Sequence, residues 1–284
     1  PRAETAAMTL AQRLLIPGGN FRVQTGISYG PEARHRLDIY TPRSAPPRAS
    51  VLFLYGGSWR SGSREIYRFL GQAMTARGYQ LVVADYRLFP DVRYPAFIED
   101  TALAFTWAKA NLAAYGGRPE RIALMGHSAG AYNAAMVSID PSWLDPHGLT
   151  PAGILATVAI AGPLSFNPAT TASTRDIFAT AADIEAARPI KLAASGAAGA
   201  PPFLFLHGQG DRTVGFHNSR NMADAVNAAG GAAELRLYPG VSHLGIVAAF
   251  AWPLRWRAPS LEDVDIFLSQ SLPADDPAAS RSAP

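Results

Sequence analysis

The stretch Arg121-Ile122-Ala123-Leu124-Met125-Gly126-His127-Ser128-Ala129-Gly130-Ala131-Tyr132-Asn133-Ala134-Ala135-Met136-Val137-Ser138 decides the fold. An apolar run, Ile122 to Met125, stops at Gly126, and an Ala-rich segment with Met and Val follows Ser128. The first reads as a buried strand and the second as a buried helix. Between them, Gly126-His127-Ser128-Ala129-Gly130 matches G-x-S-x-G, a turn that holds a serine hydroxyl out on a strained strand-to-helix corner. So tight a corner leaves no room for side chains on either flank, and the two glycines supply none.

The pentapeptide alone carries little weight, because the chain contains it twice. The second copy, Gly26-Ile27-Ser28-Tyr29-Gly30, is followed by Pro31 and then by a strand-like alternation from His35 to Tyr40. Ser28 therefore reads as a turn or strand-end residue.

Outward from Ser128, the chain alternates strand and helix. Phe21 to Tyr29 and Arg36 to Tyr40 read as a hairpin joined near Gly30-Pro31. Val51 to Tyr55, Leu81 to Ala84, Ile154 to Ala161 and Phe203 to Leu206 are short apolar runs of the kind buried parallel strands show. Glu234 to Tyr238 completes a set of eight strands. Helices are expected over Ile66 to Arg77, Ala96 to Tyr115, Asn218 to Ala229 and Leu261 to Ser269. The pattern predicts an α/β fold, with a mostly parallel eight-stranded sheet and helices on both faces. Its domain should span residues 20 to 272. An N-terminal extension, 1 to 19, would precede it, with an amphipathic stretch at Met8 to Ile16. A disordered polar tail, 273 to 284, would follow. Gly162 to Pro202, rich in Ala, Thr and Pro, breaks the rhythm and reads as a cap-like insertion over the carboxyl edge of the sheet, where ligands bind in open α/β folds.

Composition narrows the function classes. The chain has 284 residues, 48% hydrophobic and 17% charged, which suits a soluble globular domain. No run of ~18 uninterrupted apolar residues is present, so no membrane span is expected. A formal charge of +3 with scattered Lys and Arg gives nucleic-acid binding little support. The absence of cysteine excludes disulfides, thiolate metal sites and a cysteine nucleophile, and no metal-ligand spacing or cofactor fingerprint appears, so neither metal nor cofactor is expected. The chain begins at Pro1 rather than at a methionine, so an upstream segment such as a signal peptide or lipoprotein leader is expected to have been removed. Cytoplasmic and exported locations both stay open, and monomer or homodimer is the default assembly.

A serine hydroxyl needs a base to take its proton and a third group to orient that base. Where the serine sits on a strand-to-helix elbow, the chain order is serine, acid, histidine. Of the six histidines, His243, in the loop Tyr238-Pro239-Gly240-Val241-Ser242-His243-Leu244-Gly245 after the last strand, stands where the base is required. His207 reads as a packing residue under the acid loop. Asp211, in His207-Gly208-Gln209-Gly210-Asp211, follows the preceding strand and fits the acid, whereas Asp176 and Asp183 lie in the insertion. Donors to a developing oxyanion are expected from the N–H of Ala129 and from the loop after the third strand, Tyr55-Gly56-Gly57-Ser58-Trp59, with Gly57 and Ser58 as the donors.

These blocks together make the chain resemble an α/β-hydrolase of the esterase and lipase superfamily, similar to its hormone-sensitive-lipase-like and arylformamidase/feruloyl-esterase-like branches. Tyr55 to Trp59 resembles the family's His-Gly-Gly-x-Trp. Asp85-Tyr86-Arg87-Leu88-Phe89-Pro90, with Tyr94-Pro95-Ala96 and Asp100, resembles the segment after strand four. The likeness spans roughly residues 35 to 270. Tyr55 departs from it, standing where the family carries a histidine that braces the oxyanion loop; the tyrosine either braces the loop too or reshapes the acyl side of the pocket. Asp85 and Arg87 read as a structural ion pair. The resemblance implies a serine carboxylic-ester hydrolase working through an acyl-enzyme. Hydrolysis of N-formyl aromatic amines and an inactive binding protein of the same fold are the alternatives. Trp59, Phe166, Phe216 and Leu244 are candidates for an apolar pocket taking a small ester of short or medium acyl chain, or an aryl ester.

Overall fold

The computed structural model describes residues 19 to 274. The amphipathic stretch at Met8 to Ile16 and the tail beyond residue 274 lie outside them. Eight strands form one sheet: β1 (Phe21–Ser28), β2 (Arg36–Pro42), β3 (Ser50–Leu54), β4 (Gln80–Ala84), β5 (Ile122–His127), β6 (Thr157–Ile160), β7 (Phe203–Gly208) and β8 (Ala233–Tyr238). Their order is β1-β2-β4-β3-β5-β6-β7-β8. β2 runs antiparallel to β1 and β4, and every other pair is parallel. This is the order and direction of the α/β-hydrolase sheet that the resemblance implied.

The helices are α1 (Arg68–Ala76), α2 (Ala96–Asn111), α3 (Ala129–Ile139), α4 (Pro189–Gly196), α5 (His217–Ala228), α6 (His243–Ala248) and α7 (Ser260–Gln270). β3, β4, β5 and β7 are buried at every residue, which requires cover on both faces of the sheet. The edge strands β1 and β8 are only partly covered, and their sequences mix polar and apolar residues accordingly. Among the described residues no helix is long and apolar enough to cross a membrane.

Parallel register brings the functional loops to one edge. Leu54 at the end of β3 lies opposite Gly126, His127 opposite Ile160, Ile160 opposite Leu206, and Gly208 opposite Tyr238. Whatever follows each strand therefore emerges side by side.

Two expectations need correction. His243 does not sit in a loop but opens α6, whose N-cap Ser242 accepts from Gly245 N–H at 3.2 Å. A helix of one and a half turns containing a glycine is too short to show a 3.6-residue period. Asp85 and Arg87 are not each other's partners. Asp85 bonds to Arg64 and Tyr55, while Arg87 clamps Asp100 through Nε and a terminal nitrogen. Both arrangements neutralise a buried carboxylate, Asp85 in one and Asp100 in the other.

Candidate active site

The corner after β5 stores strain. Ser128 has φ 54° and ψ −118°, a conformation that side chains other than glycine seldom adopt. It persists because β5 and α3 close on it tightly. A Cβ at Gly126 would stand 2.2 Å from the Gly130 carbonyl oxygen, and one at Gly130 would stand 2.0 Å from that of Leu54. Only glycine allows this approach.

The structure brings Ser128, His243 and Asp211 into one row. His243 Nε2 lies 2.9 Å from Ser128 Oγ, and His243 Nδ1 lies 2.6 Å from Asp211 Oδ2. Asp211 Oδ1 accepts from the N–H groups of Thr213 and Val214, at 2.8 and 2.9 Å. Burial opposes ionisation of this carboxyl, but bonds from His207, His243 and Val214 outweigh it and hold its pKa well below the usual carboxylate range. An ionised carboxylate only accepts, so His243 Nδ1 carries the proton and Nε2 offers its lone pair to the serine. A hydroxyl held this way can lose its proton to the imidazole as it attacks an electrophile.

Two histidines brace the row. His127, the second residue of the pentapeptide, donates from Nε2 to the His243 carbonyl at 3.0 Å, and its ring packs 4.8 Å from the His243 ring. Burial, with His243 nearby, pushes its pKa down to about 3, so it stays neutral and holds α6 in place without adding charge. His207 is wholly buried, with Nε2 2.9 Å from the Val214 carbonyl and 3.3 Å from Asp211 Oδ2, and Nδ1 2.7 Å from Ser219 Oγ. It does pack under the acid loop, and it also bonds to the acid. Nothing in the one-dimensional pattern marks the brace from His127 or the bond from His207 to Asp211.

Opposite Ser128, the loop after β3 turns through three residues of positive φ: Gly57 at 126°, Ser58 at 53° and Trp59 at 56°. No described residue accepts a hydrogen bond from the N–H of Gly57, Ser58 or Ala129. Gly56 N–H is engaged by the Tyr67 hydroxyl. Unpaired donors beside a serine hydroxyl suit a ligand oxygen that bears negative charge.

Tyr55 braces this loop from below. Its hydroxyl donates to Asp85 Oδ1 at 2.8 Å and accepts from Arg34 at 2.7 Å, and its ring stacks on Tyr86 and Tyr67. The side chain is fully buried and does not line the cavity at Ser128. Tyr55→Phe is expected to destabilise the protein by ~1 kcal/mol, because it removes one hydrogen bond each from Asp85 and Arg34, which keep their bonds to Arg64 and to the Gly62 and Tyr86 carbonyls. Turnover per folded molecule should change only a few-fold. Chemical denaturation together with steady-state kinetics measures both.

A cavity of about 250 Å³ opens at Ser128. Trp59 and Phe166 line it, their rings near-parallel at 6.5 Å. Trp59 is fixed by its indole N–H on Asn133 Oδ1 at 2.9 Å. Phe216 and Leu244 are not among the lining residues. Phe216 lies under the Arg220 guanidinium, and Leu244 is 68% exposed. The remaining lining is less apolar than expected: Thr171, Ser173 and Thr174 from the insertion, then Thr213 and Asn218. Residues 162–202 thus form one wall of the cavity. They are tied down by Tyr94 N–H on the Ile177 carbonyl, Tyr132 Oη on that of Ala187, and Ser165 N–H on Asn218 Oδ1, at 2.9, 2.6 and 2.9 Å.

The chain is similar to several known proteins. Isoprenylcysteine alpha-carbonyl methylesterase ICME of Arabidopsis thaliana is 29% identical over 84% of this chain and 62% of its own length. A probable counterpart from Oryza sativa subsp. japonica is 28% identical over 86% of this chain and 66% of its own. The chain thus spans just under two thirds of these relatives. Among solved structures, esterase B from Lactobacillus rhamnosis superposes with a TM-score of 0.76 at 18% identity, covering 98% of this chain and 93% of that one. The BD-FAE family model matches residues 37–226. That match takes in the loop after β3, the Ser128 corner and Asp211, and with it the chain belongs to the BD-FAE family of α/β-hydrolase proteins.

Proposed function

We propose that this protein is a serine carboxylesterase for small esters. The observation that carries the reading is the row Ser128–His243–Asp211, at 2.9 and 2.6 Å, set on a strained corner next to a loop whose Gly57 and Ser58 N–H groups, like that of Ala129, have no acceptor among the described residues. The names of the relatives and of esterase B support ester hydrolysis as the reaction class.

Ser128 Oγ attacks the ester carbonyl carbon while its proton passes to His243 Nε2. The carbonyl oxygen becomes an oxyanion and accepts hydrogen bonds from the N–H groups of Gly57, Ser58 and Ala129. The imidazolium, steadied by Asp211, returns the proton to the departing alkoxide, and an alcohol leaves. Water then repeats the sequence on the acyl-enzyme: its proton goes to His243, the acid departs, and Ser128 regains its hydrogen. A cavity of about 250 Å³ suits an acetyl to butyryl ester better than a long acyl chain. The aromatic pair Trp59 and Phe166 also favours aryl groups, so N-formyl aromatic amines are a second substrate class for the same residues.

A p-nitrophenyl phosphonate should form a stable adduct on the peptide containing Ser128, with release of one nitrophenolate per molecule. Turnover of p-nitrophenyl esters should fall as the acyl chain grows beyond butyrate. Labelling elsewhere, or none, would overturn the reading.

A further inference from the structure

Most large aromatic side chains of this protein are buried, but two tryptophans are not: Trp252 is 65% exposed and Trp256 79%. Both lie in one 3-10 turn, Trp252–Arg257. Leu244, beside His243, is another large apolar side chain left in water. Isolated exposed apolar residues are ordinary, whereas a cluster marks an interaction surface.

Arg257 joins the members. Its Nε lies 3.9 Å from where a Cβ on Gly245 would stand, and its guanidinium sits 5.4 Å over the Trp256 ring. Leu244, Gly245, Arg257 and Trp256 therefore make a strip that starts one residue beyond His243. Arg255 covers the Trp252 ring at 5.5 Å, and its buried Nε has no hydrogen-bond partner.

The charge of the strip is uncompensated. Among the described residues neither Arg255 nor Arg257 meets an acidic side chain, because the nearby acids of α7 are already engaged. Glu262 and Asp265 pair with Arg77, each at 2.8 Å, and Asp263 accepts from the Tyr238 hydroxyl at 2.6 Å. Burial and the neighbouring Arg77 both disfavour the Arg255 charge, a deficit that an arriving anion relieves. Exposed indoles beside unpaired guanidinium groups match the two layers of a lipid surface, where the rings enter the headgroup–acyl boundary and the cations meet phosphate. A sugar polymer would need free carboxylates or amides beside the rings; Ala251 to Pro259 supplies none, and the acids of α7 are engaged.

We propose that Trp252, Trp256 and Leu244, with Arg255 and Arg257, form a docking surface for an anionic lipid bilayer. A consequence that rests on the esterase reading is that the site draws its ester from, or releases its acid to, that surface.

The test is flotation of the full chain with phosphatidylcholine vesicles, and with vesicles in which about a third of the lipid is phosphatidylglycerol. The wild type should float with the anionic vesicles and show a blue-shifted tryptophan emission. Arg255→Gln with Arg257→Gln should weaken binding by about 25-fold, about fivefold for each cation. Trp252→Ser with Trp256→Ser should weaken it at least as much, with an unchanged unfolding transition. Ser128→Ala should float like the wild type, so loss of catalysis and loss of docking are read separately. A wild type that floats with neither vesicle, either double variant binding like the wild type, or soluble polysaccharide displacing the vesicles would each overturn the proposal.

Discussion

Ser128→Ala is expected to lower kcat on p-nitrophenyl acetate by about 10⁵- to 10⁶-fold, with KM little changed. In the proposed mechanism the alanine removes the atom that bonds to the acyl carbon, and His243 then has no hydroxyl to deprotonate. It leaves the fold intact, since Ser128 makes its sheet contact through the backbone, its N–H donating to the Ile160 carbonyl at 2.8 Å. Residual hydrolysis above the uncatalysed rate should persist, because the N–H groups of Gly57, Ser58 and Ala129 can still polarise a carbonyl. Stopped-flow measurement should find the burst of nitrophenolate abolished. A variant retaining a tenth of wild-type turnover would place the nucleophile elsewhere.

Asp211→Asn should cost about 10⁴-fold in kcat, for a reason of proton placement rather than shape. Asp211 Oδ1 accepts two backbone N–H groups, and Oδ2 accepts from His243. An asparagine can meet only one of these demands. With its oxygen held by Thr213 and Val214, its amide NH₂ faces His243 Nδ1. That nitrogen must then accept, Nε2 must carry the proton, and the imidazole cannot take one from Ser128. Asp211→Ala, which leaves the tautomer free, should lose no more than Asp211→Asn does. Comparing kcat for the two variants separates tautomer control from simple loss of charge, and an Asp211→Asn variant within tenfold of wild type would remove Asp211 from the mechanism.

The strands and the serine corner were legible because parallel strands buried on both faces leave continuous apolar runs, and because Gly126 and Gly130 are dictated by backbone contact. Ser128, Asp211 and His243 could be picked out by chain order, since register brings successive strand ends to one edge. The cavity was not legible. Whether Phe166 or Phe216 lines it depends on the path of residues 162–202 and on rotamers that no period records. The brace from His127 and the bond from His207 to Asp211 are equally silent, although the packing of His207 could be read from its place at the end of β7. The expected apolar pocket was too simple for the same reason: Thr171, Ser173 and Thr174 arrive from an irregular segment whose turns set which side chains face inward.

The second G-x-S-x-G copy has a use after all, though not a chemical one. Its serine is exposed at the end of β1, its hydroxyl donating to the Gly30 carbonyl at 2.9 Å. Its first glycine, Gly26, forms a bulge at φ 69° where the β1–β2 register slips, which turns the Gly26 N–H onto Asp38 at 2.8 Å. Asp38 accepts from Arg64, Arg64 donates to Asp85, and Asp85 accepts from Tyr55, which opens the loop after β3. The outermost hairpin is thus a keel for the reaction chamber. Trimming it to make a smaller enzyme would remove Arg34, Asp38 and the bulge, and loosen the floor under the donors without touching a residue that meets substrate.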